Sequence, residues 1–211
     1  MTSKPKKHAD PIQAQARRDQ VLTAAEDCFA RRGYHGAGMA EISKTAGMSA
    51  GHIYNYFASK EAIIEAIIAK DMAEMFSVFD QLKATEGDLV DVMLQGSENG
   101  VLKHLDANRG ALQLEMLSEA ARNSKVAQLL QQQDQQGRER LRDILTSERS
   151  LIKDIPEAEM ASRIGVIFSL FSSIAIRKLL EPELTPEQLL LAMKPALKAM
   201  LLPFDQPVTA E

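Results

Sequence analysis

Cysteine is almost missing from this 211-residue chain. With Cys28 as the single thiol, no disulfide can close within the chain, and a reducing compartment, the cytoplasm, is the expected location. Cys28 shares a helical face with Val21, Leu22, Ala25 and Phe29, which points to packing; a redox sensor would lack a second thiol to resolve it. Histidine is also scarce. His8, His35, His52 and His104 are the four, and none stands in a Glu-x-x-His or His-Glu-x-x-His spacing that brings metal ligands onto one helix face. There is no Gly-x-Gly-x-x-Gly, no phosphate loop and no nucleophile elbow, so no metal, cofactor or catalytic set is expected. A helical-bundle enzyme with scattered catalytic residues would leave no such trace and stands as one alternative. The opening MTSKPKKHADPIQAQARR has no apolar run to serve as a secretory signal. The longest strongly apolar stretch, Ile164 to Ile176, is thirteen residues interrupted by Ser169, Ser172 and Ser173, short of the roughly 20 that span a bilayer. No membrane association is expected.

What is present is enough apolar residue to build a core, 45% of the chain, in one large or two small domains. The net charge of −4 argues against nucleic acid only until it is divided along the chain. Residues 1–60 carry nine Lys/Arg against five Asp/Glu, whereas residues 61–211 carry sixteen against twenty-four. A basic end attracts phosphates while an acidic remainder discourages non-specific coating. Lys4, Lys6 and Lys7 form a basic segment, either a solvated tail or an arm that follows DNA phosphates or enters the minor groove. Asp10-Pro11 reads as cap and first position of a helix on which Arg17 and Arg18 come early, exposed or within reach of a phosphate.

Within that basic end, Gly33 to Ile63 reads as two short helices around a glycine turn. Met39, Ile42 and Ala46 give the first an apolar stripe, and Gly47 can turn the chain with positive φ. Ser49 restarts it as an N-cap, and the next helix turns Ile53 and Phe57 inward, leaving His52, Tyr54, Asn55 and Tyr56 on other faces. Ser59 caps a further helix with Glu61 in its positive first turn, which places Lys60 like a phosphate ligand. The ordered set Gly33-Tyr34, Met39, Glu41-Ile42, Ala46-Gly47-Met48-Ser49, Gly51, Ile53-Tyr54, Tyr56-Phe57 and Ser59-Lys60-Glu61 closely resembles the DNA-binding domain of the TetR (tetracycline repressor) family of bacterial regulators.

That resemblance implies an all-α protein of about nine helices: a three-helix, homeodomain-like helix-turn-helix domain over 1–58 and a larger helical ligand-binding and dimerisation domain over 59–211. It implies a recognition helix from about Ala50 to Tyr56 in the major groove, with Ser49, Ala50, Gly51, His52, Tyr54, Asn55, Tyr56 and Lys60 facing double-stranded operator DNA. Gly38 departs from the pattern, because the family usually has Thr or Ser there. Glycine caps only a few tenths of a kcal/mol worse but offers no hydroxyl to a phosphate.

After Ser59 every segment reads as helix: about Ser59 to Lys83, then Asp88 to His104, Arg109 to Arg122, Ser124 to Ser150 with Gly137 as a weak point, Pro156 to Leu180, and a last one opened by Thr185-Pro186-Glu187-Gln188. Pro195 should kink that last helix. The final pair, near 156–180 and 186–202, resembles the family's four-helix dimer interface, implying a homodimer. The family also binds small-molecule inducers among these helices. Met72, Met75, Phe76, Phe79, Met93, Met116, Phe168 and Phe171 suit an adaptable apolar pocket, or an ordinary core, and Glu115 with Glu119 either balances a cationic ligand or forms a solvated edge. The expected function is a ligand-released repressor. A regulator answering to a protein partner is the other alternative.

Overall fold

The computed structural model describes residues 11–204, and every regular element among them is a helix. The basic arm and the Asp10 cap lie outside the described residues. The chain forms two compact units that divide between Ile67 and Ile68, later than the 58/59 boundary read from the sequence. The fourth helix opens with Ile63, Ile64 and Ile67, all buried, which carries its first turns into the first unit.

The first unit contains α1 (Pro11–Gly36), α2 (Met39–Ala46), α3 (Ala50–Ile53) and the start of α4 (Lys60–Ala84). Val21, Leu22, Ala25, Cys28 and Phe29 recur at helical spacing on α1 and are all buried. Gly33 breaks the helical geometry near the end of α1 with φ 72° and ψ 165°, a conformation that only glycine adopts cheaply. The chain then turns Tyr34 into the core, its ring centroid 5.4 Å from that of Phe29.

The second unit contains the rest of α4, then α5 (Leu89–Leu105), α6 (Ala107–Ala120), α7 (Ser124–Leu145), α8 (Glu157–Ser172), α9 (Ile174–Leu180) and α10 (Pro186–Leu201). Side chains start these helices as polar caps should: Asp88 accepts from Asp91 N, Asp106 from Arg109 N, and Asn123 from Lys125 N and Val126 N. At α10 the expected capping box is complete, with Gln188 N donating to Thr185 Oγ1 at 3.3 Å and Thr185 N donating to Gln188 Oε1 at 3.0 Å. The main core joins Leu89, Val90 and Met93 to Leu141, Ile144, Leu145, Met160, Ile164, Leu197 and Leu201.

Three readings change. The segment expected as one helix over 156–180 divides into α8 and α9 at Ser173; counted as one broken helix, the ten spans become nine. The hydroxyls of Ser169, Ser172 and Ser173 donate back to Gly165, Ser169 and Leu170 carbonyls, a competition with the helix ladder that bends helices. Gly137 is no weak point but a close approach: a Cβ there would lie 2.8 Å from Met75 Cε and 3.0 Å from Phe168 Cζ. Finally, Glu157–Leu180 taken together is 24 residues, long and apolar enough by length and composition to cross a membrane. Met160, Ile164, Ile167 and Ile174 instead bury one side of it in the protein core, while Val166, Ile176, Leu179 and Leu180 are exposed. The segment is therefore not apolar-buried all round within one chain. α10 runs as one helix through Pro195.

Candidate nucleic-acid interface and apolar cavity

The turn between α2 and α3 is built almost entirely from local hydrogen bonds. Gly47 closes α2 in the left-handed region at φ 64°, ψ 30°, and its N–H donates to the carbonyls of Lys44 and Ser43. Met48 N donates to Ser43 O at 3.0 Å, and the buried Ser43 hydroxyl donates to Met48 O in return. Ser49 then caps α3, its Oγ accepting from His52 N at 3.2 Å. At the other end of α2, Gly38 holds extended backbone with no side-chain cap.

The recognition segment is shorter as an α-helix than its expected Ala50 to Tyr56 span. It stops at Ile53, after which Asn55 N and Tyr56 N donate to the carbonyls three residues back, His52 and Ile53. This tightened last turn lets Ile53 and Phe57 both reach the core, where they are buried. Tyr54 is 53% exposed, and Ser49, Ala50, Gly51, His52 and Asn55 are exposed as well. Tyr56 is partly buried, its hydroxyl 3.3 Å from His52 Nε2. A Cβ at Gly51 or Gly38 would meet nothing within 4 Å, so packing inside the protein does not require glycine at either position.

Two side chains of α1 hold this reader, in roles that their spacing along the chain does not disclose. Arg18 Nη1 donates to Tyr56 O at 2.9 Å while its guanidinium lies 4.5 Å from the Phe57 ring centroid, so it clamps the end of the recognition segment from both sides. Gln20 Nε2 donates to Ala46 O at 2.7 Å and so satisfies the last turn of α2. Lys60, by contrast, is already engaged: Nζ donates to Tyr34 O at 2.6 Å and sits 4.1 Å from the Tyr34 ring centroid. Tyr34 donates its hydroxyl proton to Glu61 Oε1 at 3.1 Å. Glu61's own backbone N–H, together with the Ser59 hydroxyl, holds its carboxyl below the usual range, as fits a carboxylate in the first turn of a helix.

Within the second unit, α4 to α8 and α10 enclose a cavity of about 420 Å³. Met75, Phe79, Met93, Met116, Phe168 and Phe171 line it; Met72, Phe76 and Glu115 do not. Met75 and Phe79 stand four residues apart on the cavity stripe of α4, whereas Met72 and Phe76 form the adjacent stripe, where Arg140 covers the Phe76 ring at 3.9 Å. Glu115 is partly buried on α6, one position from the Leu112 and Met116 stripe. Glu119 is fully buried, no solvated edge, and accepts from Asn123 Nδ2 at 2.9 Å.

The cavity also has a polar end that the sequence reading missed. Arg109 Nη2 donates to Asp71 Oδ1 at 2.7 Å and to Glu74 Oε2 at 3.1 Å, and Lys103 Nζ donates to the same Glu74 oxygen at 2.6 Å. Burial opposes the Glu74 charge, but Lys103 and Arg109 outweigh it and hold the carboxyl below its ordinary value. His104 beside them is pushed down by burial, with the Arg109 and Lys103 charges adding to the effect. No grouping of three or more His, Cys, Asp or Glu suited to a metal ion occurs among the described residues.

A glycine-closed α2, a serine-capped α3 and outward polar residues on a buried Ile53–Phe57 anchor define a protein of the helix-turn-helix class with a separate helical unit. Residues 21–67 match the family model for bacterial regulatory proteins of the tetR family. The chain is 36% identical over 119 residues to UidR, an HTH-type transcriptional regulator of Escherichia coli (strain K12); the match covers 56% of this chain and 59% of UidR. Among solved structures, Salmonella enterica GusR is 25% identical with a TM-score of 0.70, covering 93% of this chain and 99% of GusR. FadR from Bacillus subtilis, solved in complex with stearoyl-CoA, shares the fold at 21% identity and a TM-score of 0.66, over 87% of this chain and 97% of that one. Residues 21–67 thus carry a DNA-binding domain of the tetR family type, the chain as a whole shares the fold of GusR, and the chain spans less than two thirds of the length of UidR, a relative named as a transcriptional regulator.

Proposed function

We propose that the protein is a cytoplasmic transcriptional repressor that binds a pseudo-palindromic double-stranded DNA operator as a homodimer and is released by a small-molecule inducer. The observation that carries the reading is the opposite fate of neighbours on one short segment: Ile53 and Phe57 are buried, while His52, Tyr54 and Asn55 project from it. Such a segment is anchored from behind and offers aromatic and hydrogen-bonding groups in front, which is what major-groove reading requires. A helix this short reads few bases, so two copies about 34–36 Å apart on a two-fold axis supply the rest.

Exposed apolar residues support the pairing. Leu179 and Leu191 are 67% and 80% exposed, and Val166, Ile176 and Leu180 accompany them on α8 to α10. Such residues have good reason to be covered by the same helices of a second copy. The cavity supports the inducer, its volume lying within the range of small-molecule sites.

The test is a gel-shift titration at fixed salt on the DNA flanking the gene. Tyr54→Ala and Lys60→Ala should each weaken binding, by about tenfold for Tyr54, with helicity and dimerisation unchanged. Unaltered affinity in both variants would overturn the placement of this face on DNA.

A further inference from the structure

The cavity's polar groups are unevenly available, and the imbalance identifies what it binds. His104 Nδ1 lies 2.8 Å from Gly100 O; a carbonyl only accepts, so Nδ1 carries the proton and donates. In the neutral ring Nε2 is then an acceptor, and it has no hydrogen bond among the described residues. Ser97, buried, donates its hydroxyl proton to Leu94 O at 2.6 Å, and Ser172 donates to Ser169 O at 3.4 Å. Three side-chain donors on the wall are thus turned onto backbone carbonyls, leaving lone pairs for an occupant. The cations are equally engaged, Arg109 with two carboxylates and Lys103 with one. An anionic ligand would meet cations whose charge Asp71 and Glu74 already balance at 2.6 to 3.1 Å, and a cationic one would have to compete with Lys103 and Arg109. The remaining wall is mainly Met, Phe, Leu, Val78 and Ile167, with the amides of Gln113 and Gln133 and with Asp134, whose carboxylate accepts from Arg138 Nε at 2.6 Å.

We infer that this cavity takes an uncharged, largely apolar small molecule that presents a hydroxyl proton to His104 Nε2. The inference rests on the proposal that the cavity is the inducer site. Burial, with Lys103 and Arg109 close by, pushes the ring toward its neutral form, in which Nε2 accepts, and His104 is part of the cavity wall. Phe171, whose ring centroid is 6.0 Å from that of His104, supplies a flat apolar neighbour to the same occupant. Room for the ring depends on Gly100, where a Cβ would lie 2.8 Å from Phe171 Cε1.

The full-length protein is titrated calorimetrically with three probes that share one apolar body: 4-phenylphenol, 4-methoxybiphenyl and biphenyl-4-carboxylate. The phenol should bind about tenfold tighter than the ether or the carboxylate, because either alternative leaves a buried acceptor unsatisfied or adds an uncompensated charge. His104→Leu should erase the preference, and in the wild-type protein the His104 Nε2 nitrogen resonance should shift with the phenol alone. Gly100→Val should weaken every probe; Gly96→Val, whose side chain meets the flexible end of Leu82 at 3.1 Å, is a second blocking variant should the first not fold. Probes that bind and are blocked, but with the ether or carboxylate equal to the phenol, overturn the donor assignment and leave the cavity as a ligand site. Probes that do not bind, or bind regardless of both glycine variants, overturn the cavity proposal and the donor assignment with it.

Discussion

Each unit fastens the end of a helical segment with an arginine laid on a phenylalanine, yet the two clamps differ in burial. In the first unit Arg18 is partly exposed, makes one hydrogen bond among the described residues, to Tyr56 O, and covers Phe57 at 4.5 Å. In the second, Arg163 is 2% exposed, donates to the carbonyls of Ala199, Met200 and Leu202 at the end of α10, pairs with Glu159 at 2.6 Å and lies 3.6 Å from the Phe204 ring centroid. One chemical device thus acts as an adjustable brace beside the α3 segment and as a fixed keystone in the helical unit. The difference follows from desolvation. A guanidinium still touching water loses little when a partner moves, whereas a buried one must keep every partner.

The keystone should give the largest effect. Arg163→Ala would strip three terminal carbonyls of their donor and leave Glu159, itself only partly exposed, without its cation. We expect a loss of about 3 kcal/mol, read as a lowered urea midpoint. Arg163→Lys should recover less than half of it, because an ammonium cannot hold the carboxylate and three carbonyls in one planar fork. A loss under 1 kcal/mol for the alanine variant would show the two clamps to be energetically alike.

The brace should give a smaller effect with a different signature. Arg18→Ala removes one partly solvated hydrogen bond and the cover of Phe57, a loss of about 1 kcal/mol. Operator affinity should fall, since Tyr56 O is released at the end of the recognition segment, but the salt dependence should not change. A phosphate-bound arginine would lower the slope of log affinity against log salt by about 1 when removed, so a reduced slope would move Arg18 from a brace to a direct DNA contact.

The same two regions differ in how far the sequence disclosed them. The reader is local: Met39, Gly47, Ser49, Ile53 and Phe57 act on neighbours a few residues away, so their spacing carries their roles. The cap at Ser49, the left-handed Gly47 and the inward Ile53 and Phe57 were all readable. Arg18 and Gln20 were not, because their partners lie 38 and 26 residues away. The cavity draws its wall from six helices, so composition indicated apolar material without saying which stripe of α4 faces inward. A shift of one residue around that helix separates Met75 and Phe79 from Met72 and Phe76. Gly137 was misjudged for the same reason, since its value lies in what approaches it from α4 and α8 and not in its own helix propensity.

The smallest effect tests Gly38, where the reader departs from the pattern it resembles. Gly38 caps α2 at φ −91° and ψ 162°, which any L residue adopts, and a Cβ there meets nothing within 4 Å. Gly38→Ser should therefore add a hydroxyl acceptor for the first turn of α2 without strain, stabilising the protein by about 0.3 kcal/mol in urea titration. Operator affinity should rise along with it if the added hydroxyl also reaches a phosphate, because α2 starts at the reader itself. A gain in stability with no gain in affinity would confine Gly38 to helix capping; a loss of affinity would mean that DNA approaches the backbone here so closely that the missing side chain is itself part of the fit.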